Sequence, residues 1–152
     1  MANPAPELYL ENQLCFPLYA ASRLTTKIYT PFLEELGITY PQYLVMLTLW
    51  QFQEQSVKSI GERLFLESNT LTPLLKRLEQ KDLIQRIRSK TDERTVMISL
   101  TQAGMELKEK ALEVPKKIVE SFHDNTISEE EIFSFQKTLF KLLNVLDKKV
   151  SE

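Results

Sequence analysis

The chain has 152 residues, a formal net charge of −2 and a single cysteine. That length supports one domain with a real core rather than two, and a lone cysteine forms no internal disulfide, which excludes a secreted disulfide scaffold and favours a reducing, cytoplasmic setting. Apolar runs are short and interrupted, and "MANPAPELYLEN" lacks the basic start and apolar stretch of a signal peptide, so no membrane span is expected.

The near-neutral average conceals a pattern. Residues 56–95 hold nine Lys/Arg and six Asp/Glu, which leaves the rest of the chain acidic.

Only three glycines, with abundant Leu, Lys, Glu and Gln, predict a mainly α fold. Leu14, Leu18, Ala21, Thr25, Ile28 and Phe32 recur at spacings of three and four, a helical stripe. "LGITYPQY" breaks it, and Thr39 followed by Pro41 and Gln42 signals the start of a second helix, "PQYLVMLTLWQF", apolar on most sides and therefore buried. Ser56 caps a short amphipathic helix with Val57, Ile60 and Leu64 on one face. In "ESNTLTPLLKRLEQKDL", Leu71, Leu74, Leu75 and Leu78 share a face. Pro73, which has no N–H to donate, belongs in the first turn of that helix, with Ser68, Asn69 or Thr70 as the cap before it.

The period then changes. "LIQRIRS", the charged turn "KTDERT" and "VMISL" read as a two-stranded hairpin with Val96, Ile98 and Leu100 on one face. "TQAGMELKEKALEV" resumes the helix until Pro115 bends or ends it. Ser128 and an acidic first turn open the last helix, where Ile132, Phe135, Leu139, Leu142 or Leu143, and Leu146 recur near heptad spacing, as a partner helix would require.

Two short helices, a tight turn and a basic hairpin make a winged helix-turn-helix, in which the second helix enters the major groove and the hairpin reaches along the duplex. Asn69, Thr70, Thr72, Lys76 and Arg77 lie off the apolar face of the reading helix, and Arg86, Arg88, Lys90 and Arg94 put charge along the hairpin. An Arg at its tip suits the narrow minor groove, with Asp92 orienting the Arg94 guanidinium. Against this stands the simpler reading of a solvated surface helix, which the order helix, turn, helix, basic hairpin disfavours.

The stretch "IGERLFLESNTLTPLLKRLEQKDLIQRIRSKTDERTVMISLTQAG" closely resembles the DNA-binding lobe of MarR-family repressors. With "LENQLCFPLYAASR" and "ITYPQYLVMLTLW", the chain is similar to the one-cysteine organic hydroperoxide sensors of that family, the OhrR type, from about Leu10 to Leu112. The resemblance implies a single MarR-type domain over residues 1–152, with a winged helix-turn-helix lobe at 56–100 and a helical dimerisation lobe from 8–36 and 105–150. It also implies a homodimer on a pseudo-palindromic double-stranded operator. Ser68, Thr70, Lys76 and Arg77 match recognition-helix positions, and Arg86, Asp92 and Arg94 match wing positions. Asn69 stands where close relatives commonly carry Gly.

Cys15 and Tyr19, four residues apart, are neighbours on one helix face, and Tyr29 and Tyr40 sit on adjoining elements. A phenol donating to sulfur favours the attacking thiolate, and apolar neighbours such as Leu14, Phe16 and Trp50 suit an organic hydroperoxide. The alternative is inert packing, since free Cys is among the most buried residue types. By resemblance, Cys15, Tyr29 and Tyr40 match the sensing site, the tyrosines reaching the sulfur across the dimer. A helix starting near Asn12 leaves Cys15 at its positive end, whereas one starting well before Asn12 is kinked by Pro17 beside the thiol. With no second cysteine, a sulfenic acid at Cys15 is resolved by a small thiol, by a backbone nitrogen or by over-oxidation.

The leading reading is a hydroperoxide-sensing repressor that releases its operator on oxidation. A MarR-type regulator switched by a small aromatic ligand, with Cys15 structural, is the alternative. A thiol peroxidase is disfavoured by the missing resolving cysteine and the absence of a strand-rich redox fold, so no enzyme is expected. No cofactor is expected either, and His123, the only histidine, is read as a solvated turn residue with no second ligand at metal-binding spacing.

Overall fold

The computed structural model describes residues 5–122 and 124–152; the turn expected at His123 lies outside the described residues. Two single 3-10 turns, Pro6–Leu8 and Leu10–Asn12, precede α1 (Cys15–Glu34). They are tied down by Asn12 Nδ2 donating to Pro6 O (2.7 Å) and Gln13 Nε2 donating to Tyr9 O (2.8 Å). The extended Gln13 (ψ 128°) keeps them apart from α1, so Cys15 opens the helix. Pro17 then falls in the first turn, where its missing N–H has no intrahelical partner to lose. The kink feared beside the thiol does not arise.

The loop to α2 (Tyr40–Phe52) ends in a full capping box: Gln42 N donates to Thr39 Oγ1 (3.4 Å) and Thr39 N donates to Gln42 Oε1 (3.0 Å). As its composition requires, α2 is buried nearly all round, through Tyr43, Val45, Met46, Thr48, Leu49 and Trp50. The expected two-stranded hairpin is one strand short of the truth. Gln55–Ser56 forms β1, which pairs antiparallel with β3 (Val96–Leu100), while β2 (Ile84–Arg88) pairs with its other edge, giving the order β1-β3-β2. A two-residue strand has no periodicity of its own, and its pairing partner lies some forty residues away.

Ser56 also caps α3 (Val57–Leu64), accepting from Ser59 N at 3.0 Å. The chain leaves α3 through a left-handed Phe65 (φ 56°), and Leu66 N bonds back to Gly61 O. A Cβ on Gly61 would sit 2.8 Å from the Leu66 carbonyl oxygen, so the tight turn needs glycine there. The reading helix α4 (Ser68–Gln80) corrects the expected boundary. It starts at Ser68 with no side-chain cap, and Pro73 lies in its second turn. Glu67 O takes both Thr70 N and Leu71 N, which closes the first turn without a cap, and Pro73 simply leaves the Asn69 carbonyl without the bond from an i+4 N–H.

After the sheet come α5 (Gln102–Ala111), capped by Thr101, and α6 (Glu113–Ser121), separated by Leu112 alone. Pro115 therefore opens α6 instead of ending α5. The last helix, α7 (Glu129–Ser151), has the foreseen Ser128 cap (Glu131 N to Ser128 Oγ, 3.1 Å) and three glutamates in its first turn.

The core is centred on α2, α3, α4 and the sheet: Met46, Leu49, Ile60, Leu71, Leu75, Leu78, Ile84 and Ile98 are fully buried. Trp50 stitches α5 to it by donating from Nε1 to Gly104 O (2.9 Å). Outside this centre burial falls away. Among the described residues α7 buries nothing, and Ile132, Phe133, Phe135, Phe140, Leu146 and Val150 are exposed along it. No helix of the described residues is long and apolar enough to cross a membrane.

Candidate nucleic-acid interface and thiol site

The buried leucines fix which side of α4 faces outward. Leu71, Leu75 and Leu78 point into the core, so Asn69 and Lys76 stand exposed opposite them, Thr70 and Arg77 stand exposed on the flank, and Ser68 is exposed at the open first position of the helix. Thr72 is half-buried and turns its hydroxyl back to Ser68 O (2.8 Å). Between the start of α4 and the wing lies a groove of about 370 Å³, bordered by Ser68, Thr72, Lys58, Arg86, Arg94 and Thr95. Lys58, which the sequence pattern did not single out, enters it because β1 draws the start of α3 against the sheet.

Arg86 and Asp92 hold positions the sequence suggested but are committed to the protein. Glu79 of α4 grips Arg86 of β2 three ways: Oε1 lies 3.1 Å from Nη2 and 3.2 Å from Nε, and Oε2 takes the backbone N–H at 3.2 Å. The hydrogen bond from Arg86 and its charge hold the Glu79 carboxyl below its usual range. This clamp sets the angle between reading helix and wing. Asp92 does not orient the Arg94 guanidinium; its carboxylate accepts the Arg94 backbone N–H (3.0 Å) and the Thr95 hydroxyl (3.4 Å), while Arg88 Nη1 ties to Glu93 O (2.9 Å). The short carboxylate closes the local turn more readily than it reaches the end of a long side chain. Among the described residues the Arg94 guanidinium has no ion pair, and it projects from a wing tip already built.

Cys15 is exposed at the first position of α1. Leu14 and Phe16 beside it are exposed as well, whereas Trp50 is not a neighbour, since its hydrogen bond to Gly104 holds it in the core. Tyr19, 65% exposed, packs under Arg23 with the guanidinium 5.5 Å from the ring centre. Tyr29 and Tyr40 do come together, with ring centres 4.8 Å apart, and Tyr43 joins them at 6.0 and 6.3 Å. Burial foremost, then Tyr40 and Tyr43, pushes the Tyr29 phenol up to about 12; burial also raises Tyr40 and Tyr43. All three therefore remain O–H donors at neutral pH. Tyr43 was missed, although its spacing of three from Tyr40 on one helix was a usable signal.

Within one chain this cluster is far from the sulfur. Tyr29 is fourteen residues further along the same helix, roughly 21 Å at the helical rise.

A three-stranded wing behind an exposed, basic reading helix defines the winged helix-turn-helix class of regulator. The chain belongs to the family described as transcriptional regulator SarA/Rot, which matches residues 27–111. It is 50% identical, over 98% of its length and 99% of the relative's, to the organic hydroperoxide resistance transcriptional regulator of Bacillus subtilis strain 168. It is also similar to AbfR of Staphylococcus epidermidis. The structure of reduced AbfR bound to DNA superposes with a TM-score of 0.76 at 38% identity, covering 99% of this chain and 100% of that one. Disulfide-formed AbfR superposes at 0.64 with 41% identity, over 93% and 95% of the two chains.

Proposed function

We propose that the protein is a cytoplasmic, homodimeric transcriptional repressor that binds a pseudo-palindromic operator and releases it when an organic hydroperoxide oxidises Cys15. The observation that carries this reading is the exposed thiol at the head of α1, on the same lobe whose apolar face is left uncovered, joined by one short chain to a basic reading head. Near identity in length to a relative named for organic hydroperoxide resistance supports it, and the DNA-bound form of AbfR supports the use of the reading head.

The chain acts as one domain, with residues 56–100 reading DNA and residues 8–36 and 105–150 forming the dimer. Ser68, Asn69, Thr70, Lys76 and Arg77 face the major groove, and Arg94 the minor groove. Thr72, Arg86 and Asp92 serve by shaping the surface. A second copy brings its Tyr29 and Tyr40 to Cys15, since within one chain Tyr29, with Tyr40 beside it, is roughly 21 Å from Cys15 along α1. Tyr19 lines the entrance on the thiol's own helix.

The chemistry needs one turnover only. The Cys15 thiolate attacks the distal peroxide oxygen, the O–O bond breaks, and the alkoxide leaves with a proton as an alcohol. Sulfur is oxidised to the sulfenic acid while the peroxide is reduced. A small thiol then condenses with the sulfenic acid, forming a mixed disulfide and releasing water. The mixed disulfide is itself the signal, so in this reading the protein works as a sensor. A bulky adduct between two protomers separates the reading heads and mismatches both half-sites at once.

Promoter DNA binding by reduced wild type and by Cys15→Ser, titrated with tert-butyl hydroperoxide, tests this. Release of wild type alone is expected. Equal release of both proteins, or release only by an added aromatic acid, would sink the redox reading.

A further inference from the structure

The sensing tyrosine and the reading helix are joined by one side chain that the function described so far leaves unused. Lys81 closes α4, its backbone N–H donating to Arg77 O at 3.1 Å. Its ammonium reaches over the surface to the α1–α2 turn and donates to Gly37 O at 2.6 Å and to Gln42 Oε1 at 2.9 Å. Those two acceptors flank Tyr40: Gly37 precedes it by three residues in the loop, and Gln42 follows it by two in the first turn of α2.

One end of the grip is buried and the other is open to water. Gln42 is 2% exposed, and the same Oε1 that meets Lys81 also accepts Thr39 N at 3.0 Å within the capping box. The loop side is shaped for the bond by Gly37, whose φ of +72° only glycine adopts at no cost. Backbone movement at Tyr40 therefore shifts both acceptors together, and the ammonium must follow or let go. Ser68, at the far end of α4, is roughly 20 Å from Lys81 along the helix, so a tilt of about 5° at the latch moves it by about 2 Å, enough to spoil base contacts.

We propose that Lys81 is a positioning residue, a latch through which displacement of Tyr40 on oxidation of Cys15 is passed to the recognition helix. This rests on the sensing role proposed above for Tyr40. In the reduced state the buried leucines of α4 already hold it in its DNA-competent tilt and the latch only follows; in the oxidised state the latch drags the C-terminal end of α4 with the α1–α2 turn. Coupling of this kind appears as a difference between two affinities, which a purely structural contact would leave unchanged.

The experiment uses the full-length protein on the promoter fragment upstream of its own reading frame, before and after tert-butyl hydroperoxide, with wild type, Lys81→Met and Lys81→Arg side by side. Intact-mass measurement follows oxidation of Cys15 independently. Lys81→Met is expected to oxidise at the wild-type rate and to bind as wild type when reduced, but to lose roughly threefold to tenfold of the oxidation-induced drop in affinity. Lys81→Arg, which keeps charge and reach, restores most of the drop. If Lys81→Met releases DNA by the same factor as wild type, or is weakened equally in both states, the latch is overturned. If oxidised wild type itself stays bound, the sensing reading fails first and the latch with it.

Discussion

The α3–α4 pair and α7 are all amphipathic helices, yet they finish in opposite conditions. Ile60, Leu71, Leu75 and Leu78 are fully buried within their own chain, whereas Ile132, Phe135, Phe140 and Leu146 of α7 stand in the open. The reading head is a closed folding unit, with β1, Gly61 and the Glu79–Arg86 clamp fixing its parts against each other. In the dimer proposed above, the helical lobe is half of a core. A chain that left so many large apolar side chains in water would forgo roughly 1.5–3 kcal/mol for each, so the contrast separates what one copy stabilises alone from what two copies must share.

The largest effect should come from the closed unit. Leu75→Ala, at a fully buried position against the sheet, is expected to cost about 2–5 kcal/mol of unfolding free energy, read from urea denaturation, through lost transfer energy and the cavity left behind. A cost near zero would mean that the reading head is looser than its burial indicates.

Next comes the open face. Phe135→Asp is expected to weaken self-association by roughly 30-fold or more, measured by sedimentation, because a charge replaces an exposed apolar side chain of α7 within the proposed interface. Promoter affinity should fall with it, as two linked half-sites become two separate ones. Unchanged association would place the partner surface elsewhere on the lobe.

The smallest effect tests the join between the two regions, where the tyrosine cluster sits. The Tyr29 phenol is raised from 10.0 to about 12 in the folded chain, so between those values the native state binds more protons than the unfolded one. Stability present below pH 10 should therefore decline as pH rises toward 12, and Tyr29→Phe should make that decline shallower. An identical alkaline slope in both proteins would show the phenol to be as hydrated as in the unfolded chain.

Where sequence reading succeeded, the deciding contacts were local. The Thr39, Ser56 and Ser128 caps each depend on a side chain bonding three residues ahead, and each is present. The leucine face of α4 follows from periodicity, and the burial of α2 from its apolar composition. Reading failed where the partner was distant or the choice was marginal. β1 exists only because β3 offers an edge, and Trp50 was assigned to the thiol because nothing nearby in the chain announces Gly104. Arg86 reads as a cation along the wing until Glu79 is seen beside it. The start of α4 was misplaced because the sequence offers three capping residues in a row and the backbone uses none of them.

By itself, then, the sequence determined the class of fold, the outward face of the reading helix and the presence of one thiol near several tyrosines. These are matters of helical period, turn chemistry and composition, which act over a few residues. Only the tertiary structure decided that Cys15 opens α1 in the open while Tyr29, far down the same helix, gathers with Tyr40 of α2, that Arg86 braces where Arg94 reaches, and that Lys81 bonds the loop before Tyr40 and the turn after it. Each of those depends on which segments pack together, and packing is set by the shape of the whole buried core, which no short window of the chain contains.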